Sequence, residues 1–179
     1  TIIPRGRALG LTAQLPEKER YNYSKQYLLG RLDILMGGRS AEQIIFNDLT
    51  SGAGNDIAVA TDLAKKMICE WGMNDVVGPI TYSQKEEEVF LGKEISKNND
   101  TSEEKNTIID HEVSSLVKNS EKNALNILNK NIKHLHNIAT ILLEKETIDG
   151  EEMTSIIKNG IEENIENISA KSKRRTDKK

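Results

Sequence analysis

The chain has 179 residues, of which 36% are hydrophobic, 30% charged and only 4% aromatic, a composition that suits a globular, helical domain better than a β-sandwich. Its formal net charge of −3 combines −8 over residues 1–169 with +5 over the last ten residues, where six lysines and arginines accompany one acid, Asp177. Because such an acidic body repels phosphate backbones, no nucleic-acid binding is expected of it.

The first predicted element is a short β-hairpin near the N-terminus. Residues 9–15 alternate apolar and polar side chains with a period of two, which predicts a strand with one buried face. Residues 4–7 would connect this strand to Ile2 and Ile3. The start is apolar and lacks a methionine, so we expect the chain to begin inside a domain; methionine removal from an ordinary N-terminus is the alternative.

Helices dominate the prediction that follows. Leucines at helical spacing predict a helix over about residues 25–46, followed by a loop over residues 47–54. A second helix is predicted over residues 56–71, with Gly72 at its end. Residues 76–82 favour a second short strand, and the polar residues 83–100 favour a loop.

Apolar periodicity predicts two long helices in the C-terminal half, over about residues 103–129 and 132–145. Residues 149–152 resemble a capping box that opens a last short helix through Ile157. The predicted fold class is therefore mainly α with a small β-hairpin element. We expect one domain over residues 1–160 and a disordered basic tail over residues 161–179.

Two consecutive glycines, Gly37 and Gly38, lie inside the first predicted helix, where each costs about 1 kcal/mol relative to alanine. The close approach of another backbone would explain them. The functional alternative is that the missing side chains let a neighbouring element of an active site approach this helix closely.

Two carboxylates are candidates for a functional site, and each has a purely structural alternative. Glu42 follows two leucines at intervals of seven and should face the core, where it either pairs with Arg39 or lies in or beside a metal site. Asp56 follows the flexible stretch 52–55 at a helix start. There it would act as a capping or first-turn acid, or as a metal ligand.

Histidines and the single cysteine offer little for a metal site. His111 is followed by a glutamate, as in the zinc motif H-E-x-x-H, but Ser115 occupies the position of the second histidine. His134 and His136 point to different faces of their helix. Cys69 alone allows neither a disulfide framework nor a cysteine-based zinc site. The sequence also lacks a phosphate-binding loop and any run of about 18 apolar residues.

Six stretches carry a family resemblance: TIIPRGRALG at 1–10, GGRSAE at 37–42, SGAGND at 51–56, WGM at 71–73, VFLG at 89–92 and ETID at 146–149. In order and spacing they resemble the peptidase domain of the FtsH-type ATP-dependent zinc metalloproteases. The likeness covers about residues 1–157.

The resemblance implies roles for particular residues. In that family an H-E-x-x-H helix precedes the segment similar to residues 1–10, and the aspartate of the glycine-rich segment is the third zinc ligand. This role falls to Asp56, while Glu42 would support the site as a close neighbour. No catalytic residue is expected in this chain, which alone should be inactive. As a separate hypothesis, a strand containing Leu9, Gly10, Leu11, Thr12 and Ala13 would bind extended substrate through its backbone.

For the complete protein the resemblance implies a hexameric, membrane-anchored endopeptidase that degrades unfolded or damaged proteins. Its ATP and Mg would be bound by an ATPase domain outside this chain, and its membrane contact would lie in other segments. The implied location is a bacterial inner membrane or an organellar membrane, with the peptidase domain on the soluble, reducing side. The alternative class is a non-catalytic helical oligomerisation module, a degenerate relative of the proteases; an H-E-x-x-H helix encoded upstream would distinguish the two.

Overall fold

The computed structural model describes residues 1–6, 10–13, 22–82 and 102–158. The helices are α1 (Lys25–Leu35), α2 (Gly37–Phe46), α3 (Gly54–Lys65), α4 (Glu103–Lys130) and α5 (Ile132–Lys145), with a 3₁₀ turn at Ser51–Ala53 and a π-helical turn at Lys66–Glu70. Residues 150–158 are also helical. The prediction of a mainly α fold is confirmed.

The chain divides into two compact units. One comprises residues 20–128, and the other combines residues 1–19 with residues 129–179. The predicted domain boundary at residue 160 and the predicted tail lie outside the described residues, as do the loop residues 83–100. Among the helices that the structure describes, none has both the length and the apolar character needed to span a membrane.

The core of the unit formed by residues 20–128 joins α1, α3, the π turn and α4. Its main cluster consists of buried side chains of mixed size: Leu28, Leu32, Met36, Ala60, Met67 and Ala124. A second cluster packs Ala64 and Ile68 against Val113. Because alanine carries a single methyl group, the alanines of α3 and α4 let larger side chains fill the space between helices at native density.

The first predicted helix is divided at Met36. Ser24 caps α1 by accepting a hydrogen bond from the Tyr27 amide at 3.2 Å. Met36, with φ −79° and ψ −8°, then separates α1 from α2. Hydrogen bonds continue across it, because the Ser40 amide still donates to the Met36 carbonyl at 3.0 Å. The prediction of one continuous helix is wrong at this residue, where the following glycines weaken the helical preference.

Gly72 ends the second predicted helix, as expected, but that helix is not α-helical throughout. After α3 the chain widens into the π turn, in which the Trp71 amide donates to the Lys66 carbonyl at 3.0 Å. Gly72 has φ +58°, and a Cβ built on it would lie 2.8 Å from the Pro79 Cα. Both the left-handed backbone and the close approach require glycine at this position.

The predicted strand over residues 76–82 is wrong. Asn74 forms a turn there instead, with its Oδ1 accepting hydrogen bonds from the Val76 and Val77 amides at 2.9 Å each. Its carbonyl accepts a third bond, from the Gly78 amide at 2.9 Å. Local bonds of this kind satisfy the backbone without a neighbouring strand and so compete with sheet formation.

The N-terminal hairpin is not formed as regular strands in the described residues. Residues 10–13 have no strand conformation, and residues 9, 14 and 15 lie outside the described part of the chain. Thr1 and Leu11 nevertheless exchange two hydrogen bonds: the Thr1 nitrogen donates to the Leu11 carbonyl at 3.0 Å, and the Leu11 amide donates to the Thr1 carbonyl at 2.9 Å. This is the pattern of one antiparallel residue pair.

The C-terminal helices confirm their predicted bounds to within one residue. Asp149 also caps the last helix as predicted, since its Oδ1 accepts a hydrogen bond from the Glu152 amide at 2.8 Å. In a complete capping box the Glu152 side chain would also bond to the backbone amide of Asp149. Here the Glu152 carboxylate pairs with the Lys145 ammonium group instead.

Replacing Gly72 with alanine should lower the free energy of unfolding by about 1–3 kcal/mol, because it forces both a left-handed φ and a backbone clash. Gly30→Ala is the matched control. Gly30 is solvent-exposed, lies in the middle of α1 and has open space around its Cβ position. Alanine there should therefore raise the free energy of unfolding by about 1 kcal/mol or less. Urea unfolding followed by circular dichroism measures both; unchanged stability of the Gly72 variant would contradict the expectation.

Glu112 on α4 ties that helix to the Asn74 turn. The side-chain amide of Asn74 donates to Glu112 Oε2 at 2.8 Å, and His111 Nδ1 lies 3.3 Å from Glu112 Oε1. These hydrogen bonds, the one from Asn74 first, hold the pKa of the Glu112 carboxyl below its usual value. The resulting contribution to stability is present above the unfolded pKa of about 4.3 and is lost as pH falls through the folded pKa.

Asn74→Ala should therefore raise the pKa of Glu112 and remove this part of the acid dependence of folding. His111→Ala should also raise this pKa, because it removes both a hydrogen bond and an electrostatic contribution of the His111 side chain. Carbon-detected NMR titration of the Glu112 carboxyl group measures the pKa in each variant. An unchanged pKa of Glu112 in the Asn74 variant would contradict the expectation.

Candidate metal-binding site

Asp56 lies in the first turn of α3, where its half-buried carboxylate complements the positive end of the helix dipole. The position as a first-turn acid agrees with the sequence prediction. Asp56 Oδ2 points toward α2 and lies 4.0 Å from the place where a Cβ on Gly38 would be. Over the described ranges, no hydrogen bond or ion pair reaches the Asp56 carboxylate.

Gly37 and Gly38 do not accommodate another backbone among the described residues. No atom lies within 4 Å of a Cβ built on Gly37, and the one neighbour of a Cβ on Gly38 is the Asp56 carboxylate oxygen. The described residues therefore do not show the predicted backbone approach. Among the residues that the structure describes, the glycines instead leave one side of α2 bare where it faces Asp56.

Glu42 is half-buried and bonded to a threonine rather than to an arginine. Its Oε2 accepts a hydrogen bond from the Thr50 amide at 3.1 Å, and its Oε1 accepts one from the Thr50 hydroxyl at 2.9 Å. Arg39 points elsewhere, with its Nε donating to Glu121 Oε1 at 2.7 Å. The predicted pairing of Arg39 with Glu42 is wrong, because the loop after α2 returns to Glu42 while α4 supplies a carboxylate to Arg39.

Thr50 is the residue that the sequence analysis missed. Besides donating to Glu42, its hydroxyl accepts a hydrogen bond from the Gly52 amide at 3.1 Å and caps the 3₁₀ turn Ser51–Ala53. This turn runs directly into α3, and its last residue, Ala53, is 5% exposed. A threonine just before a helical segment is a typical N-cap, and that signal was present in the sequence.

The histidines do not join these carboxylates. His111 and His136 are exposed, whereas His134 is buried in α5 with no hydrogen-bond partner for its Nδ1 among the described residues. In the same residues no group of three histidine, cysteine, aspartate or glutamate side chains is arranged to hold a metal ion. A catalytic zinc site takes three protein ligands, and the described residues do not bring such a set together.

The predicted substrate-binding segment is exposed over residues 10–13, while Leu9 lies outside the described residues. Leu11 uses both of its backbone groups in the pair with Thr1. In the described part of the chain, the amides of Gly10 and Thr12 make no backbone hydrogen bond. A Cβ on Gly10 would lie 2.9 Å from the Thr1 carbonyl oxygen, so a side chain there would push the two segments apart.

Comparison with known proteins gives a consistent result. Residues 1–156 match the model of peptidase family M41. Proteins named ATP-dependent zinc metalloprotease FtsH are similar to most of the chain. The protein of Magnetococcus marinus is 54% identical over 157 residues, 88% of this chain and 23% of the relative.

The proteins of Acidobacterium capsulatum and Thermotoga maritima carry the same name. They are 51% and 47% identical over 88% and 93% of this chain, which correspond to 24% and 27% of the relatives. The chain thus spans about a quarter of the length of these curated relatives. Since the family match extends from the N-terminal segment through the last described helix, the chain belongs to peptidase family M41.

Proposed function

We propose that this chain is part of the proteolytic domain of a membrane-anchored, ATP-dependent zinc metalloendopeptidase, and that it hydrolyses peptide bonds only together with residues outside this sequence. The observation that carries the proposal is the Asp56 carboxylate, which faces a bare glycine and has no partner among the described residues. Membership of a peptidase family and the names of the relatives support it.

The geometry fits a zinc ligand at Asp56. A carboxylate oxygen is a normal zinc ligand, and the first turn of a helix holds it with little freedom. Bound zinc would polarise the scissile carbonyl and lower the pKa of its water. The task of Asp56 is to present one oxygen in a fixed place. Because no protein group among the described residues occupies that oxygen, binding would not require an existing bond to break.

Glu42 has a supporting role in this proposal. Each of its oxygens already accepts a hydrogen bond from Thr50, which favours a positioning function over direct coordination. Outer ligands of this kind orient the groups that touch a metal.

For the complete protein, family membership supports a broader proposal. Its substrates would be unfolded or damaged proteins, its subunits would form a homo-hexamer, and a separate ATPase domain would bind ATP and Mg. Membrane contact, in a bacterial inner membrane or an organellar membrane, would come from other segments. Family membership favours this proposal over the alternative of a non-catalytic oligomerisation module.

The N-terminal segment is proposed to bind extended substrate. Leu11 directs both of its backbone groups to Thr1, and backbone groups alternate in direction along an antiparallel pair. The groups of Gly10 and Thr12 therefore face the opposite edge, where a substrate chain could pair with them. Binding through backbone groups would tolerate many substrate sequences, as a degradative peptidase requires.

In the full-length protein, Asp56→Asn should remove most of the bound zinc and the proteolysis of a denatured protein substrate. We expect the loss of zinc affinity to exceed the roughly 10–100-fold loss typical of outer-ligand changes. Asp62→Asn is the matched control, because Asp62 is an exposed acid of the same helix. Elemental analysis and a proteolysis assay measure both properties; normal zinc content and activity in the Asp56 variant would sink the proposed role.

Thr12→Pro in the full-length protein should raise KM for an unfolded substrate while leaving zinc content unchanged, because proline removes the amide from the proposed binding edge. Thr12→Val keeps that amide and should behave like the wild type. Steady-state proteolysis compares the two. Equal KM values for the proline and valine variants would contradict pairing through the edge.

A further inference from the structure

Thr50 links the two helices that carry the candidate site. Its amide and hydroxyl both donate to the Glu42 carboxylate of α2, at 3.1 and 2.9 Å. Its hydroxyl oxygen also accepts the Gly52 amide, which opens the 3₁₀ turn before α3. One side chain therefore bonds to the middle of α2 and to the beginning of the segment that carries Asp56.

The position of Asp56 depends on where that segment crosses α2. Glu42 follows Gly38 by four residues, so the two lie on the same face of α2, about 6 Å apart along the helix. Thr50 reaches α2 at Glu42, and the Asp56 carboxylate reaches it at Gly38. The Thr50 bonds and the Asp56 carboxylate therefore meet the same face of α2, about one helical turn apart.

We infer that Thr50 is a positioning residue, which sets the place of the Asp56 carboxylate by clamping the start of α3 to Glu42. This inference rests on the proposed function of Asp56 as a zinc ligand. Hydrogen bonds to an ionised carboxylate are stronger than neutral ones, so a clamp made of two of them resists displacement. Without it, the turn before α3 keeps the buried Ala53 as its anchor but loses its polar tie to α2.

The clamp is separable from ordinary helix capping. A cap requires only an oxygen that accepts the Gly52 amide, and aspartate provides one as well as threonine does. Donation from the side chain to Glu42 additionally requires a hydroxyl hydrogen, whereas the backbone amide of residue 50 can donate to Glu42 in every variant. Thr50→Asp thus keeps the cap and places a negative charge against Glu42, Thr50→Val removes both functions of the side chain, and Thr50→Ser retains both.

The test measures zinc affinity of the full-length protein by competition with a chelator, using zinc alone as the probe. Thr50→Asp and Thr50→Val should each weaken zinc binding by roughly 10–100-fold. Thr50→Ser should bind zinc like the wild type. Thr61→Val is the matched control, because the Thr61 hydroxyl bonds to the Ile57 carbonyl within α3 and not to Glu42. It should bind zinc like the wild type.

A double-mutant cycle tests whether Glu42 and Thr50 act as one unit. Glu42→Gln alone should weaken zinc binding over the same range, and combining it with Thr50→Val should add little further loss. Fully additive losses would show that the two residues act independently and would overturn the clamp.

Two further outcomes are decisive. Normal zinc affinity in Thr50→Asp would overturn the inference, and so would a lower melting temperature of the zinc-free Thr50 variants with unchanged affinity, since that result indicates a structural cap only. Asp56→Asn, measured in parallel, separates the two claims. If Asp56→Asn also binds zinc normally, the proposed function fails. If Asp56→Asn loses zinc while the Thr50 variants keep it, only the role of Thr50 fails.

Discussion

The pair of hydrogen bonds between the Glu42 carboxylate and Thr50 is the constraint on which the candidate site depends. It holds the chain after α2 so that a capped 3₁₀ turn leads into α3. Once the direction of α3 is set, Asp56 faces Gly38, and Ala60 on the same helix enters the core. A polar contact at one end of the helix and apolar burial along it therefore specify the same orientation.

Hydrogen bonds and an ion pair link the helices at the edges of this core rather than inside it. The Arg39 side chain joins α2 to Glu121 of α4, and the Asn74 turn joins the end of the π turn region to Glu112 of the same helix. The ion pair is partly exposed, with 28% and 26% of its two side chains accessible. Pairs this exposed contribute little net stability, so their main effect is to fix how the helices align while apolar burial stabilises them.

The number of protein ligands that a catalytic zinc site needs determines what this chain contributes to the proposed enzyme. The described residues bring one free carboxylate to a bare face of α2, and a catalytic zinc site takes three protein ligands. What this chain contributes is therefore the placement of Asp56, together with an exposed backbone edge at residues 10–13. Membership of peptidase family M41 gives that placement its proposed purpose.

The sequence by itself determined which segments are helical, apart from the break at Met36 and the π turn, and it placed Asp56 in a first turn. Apolar periodicity, the Asp149 cap and the Gly72 stop made this possible because they act over a few neighbouring residues. The sequence also predicted that Glu42 lies near the site. Only the tertiary structure decided that Glu42 bonds to Thr50 while Arg39 turns to α4. Several partners of suitable charge or polarity compete for such a side chain, and the choice among them depends on helix packing that no local pattern contains.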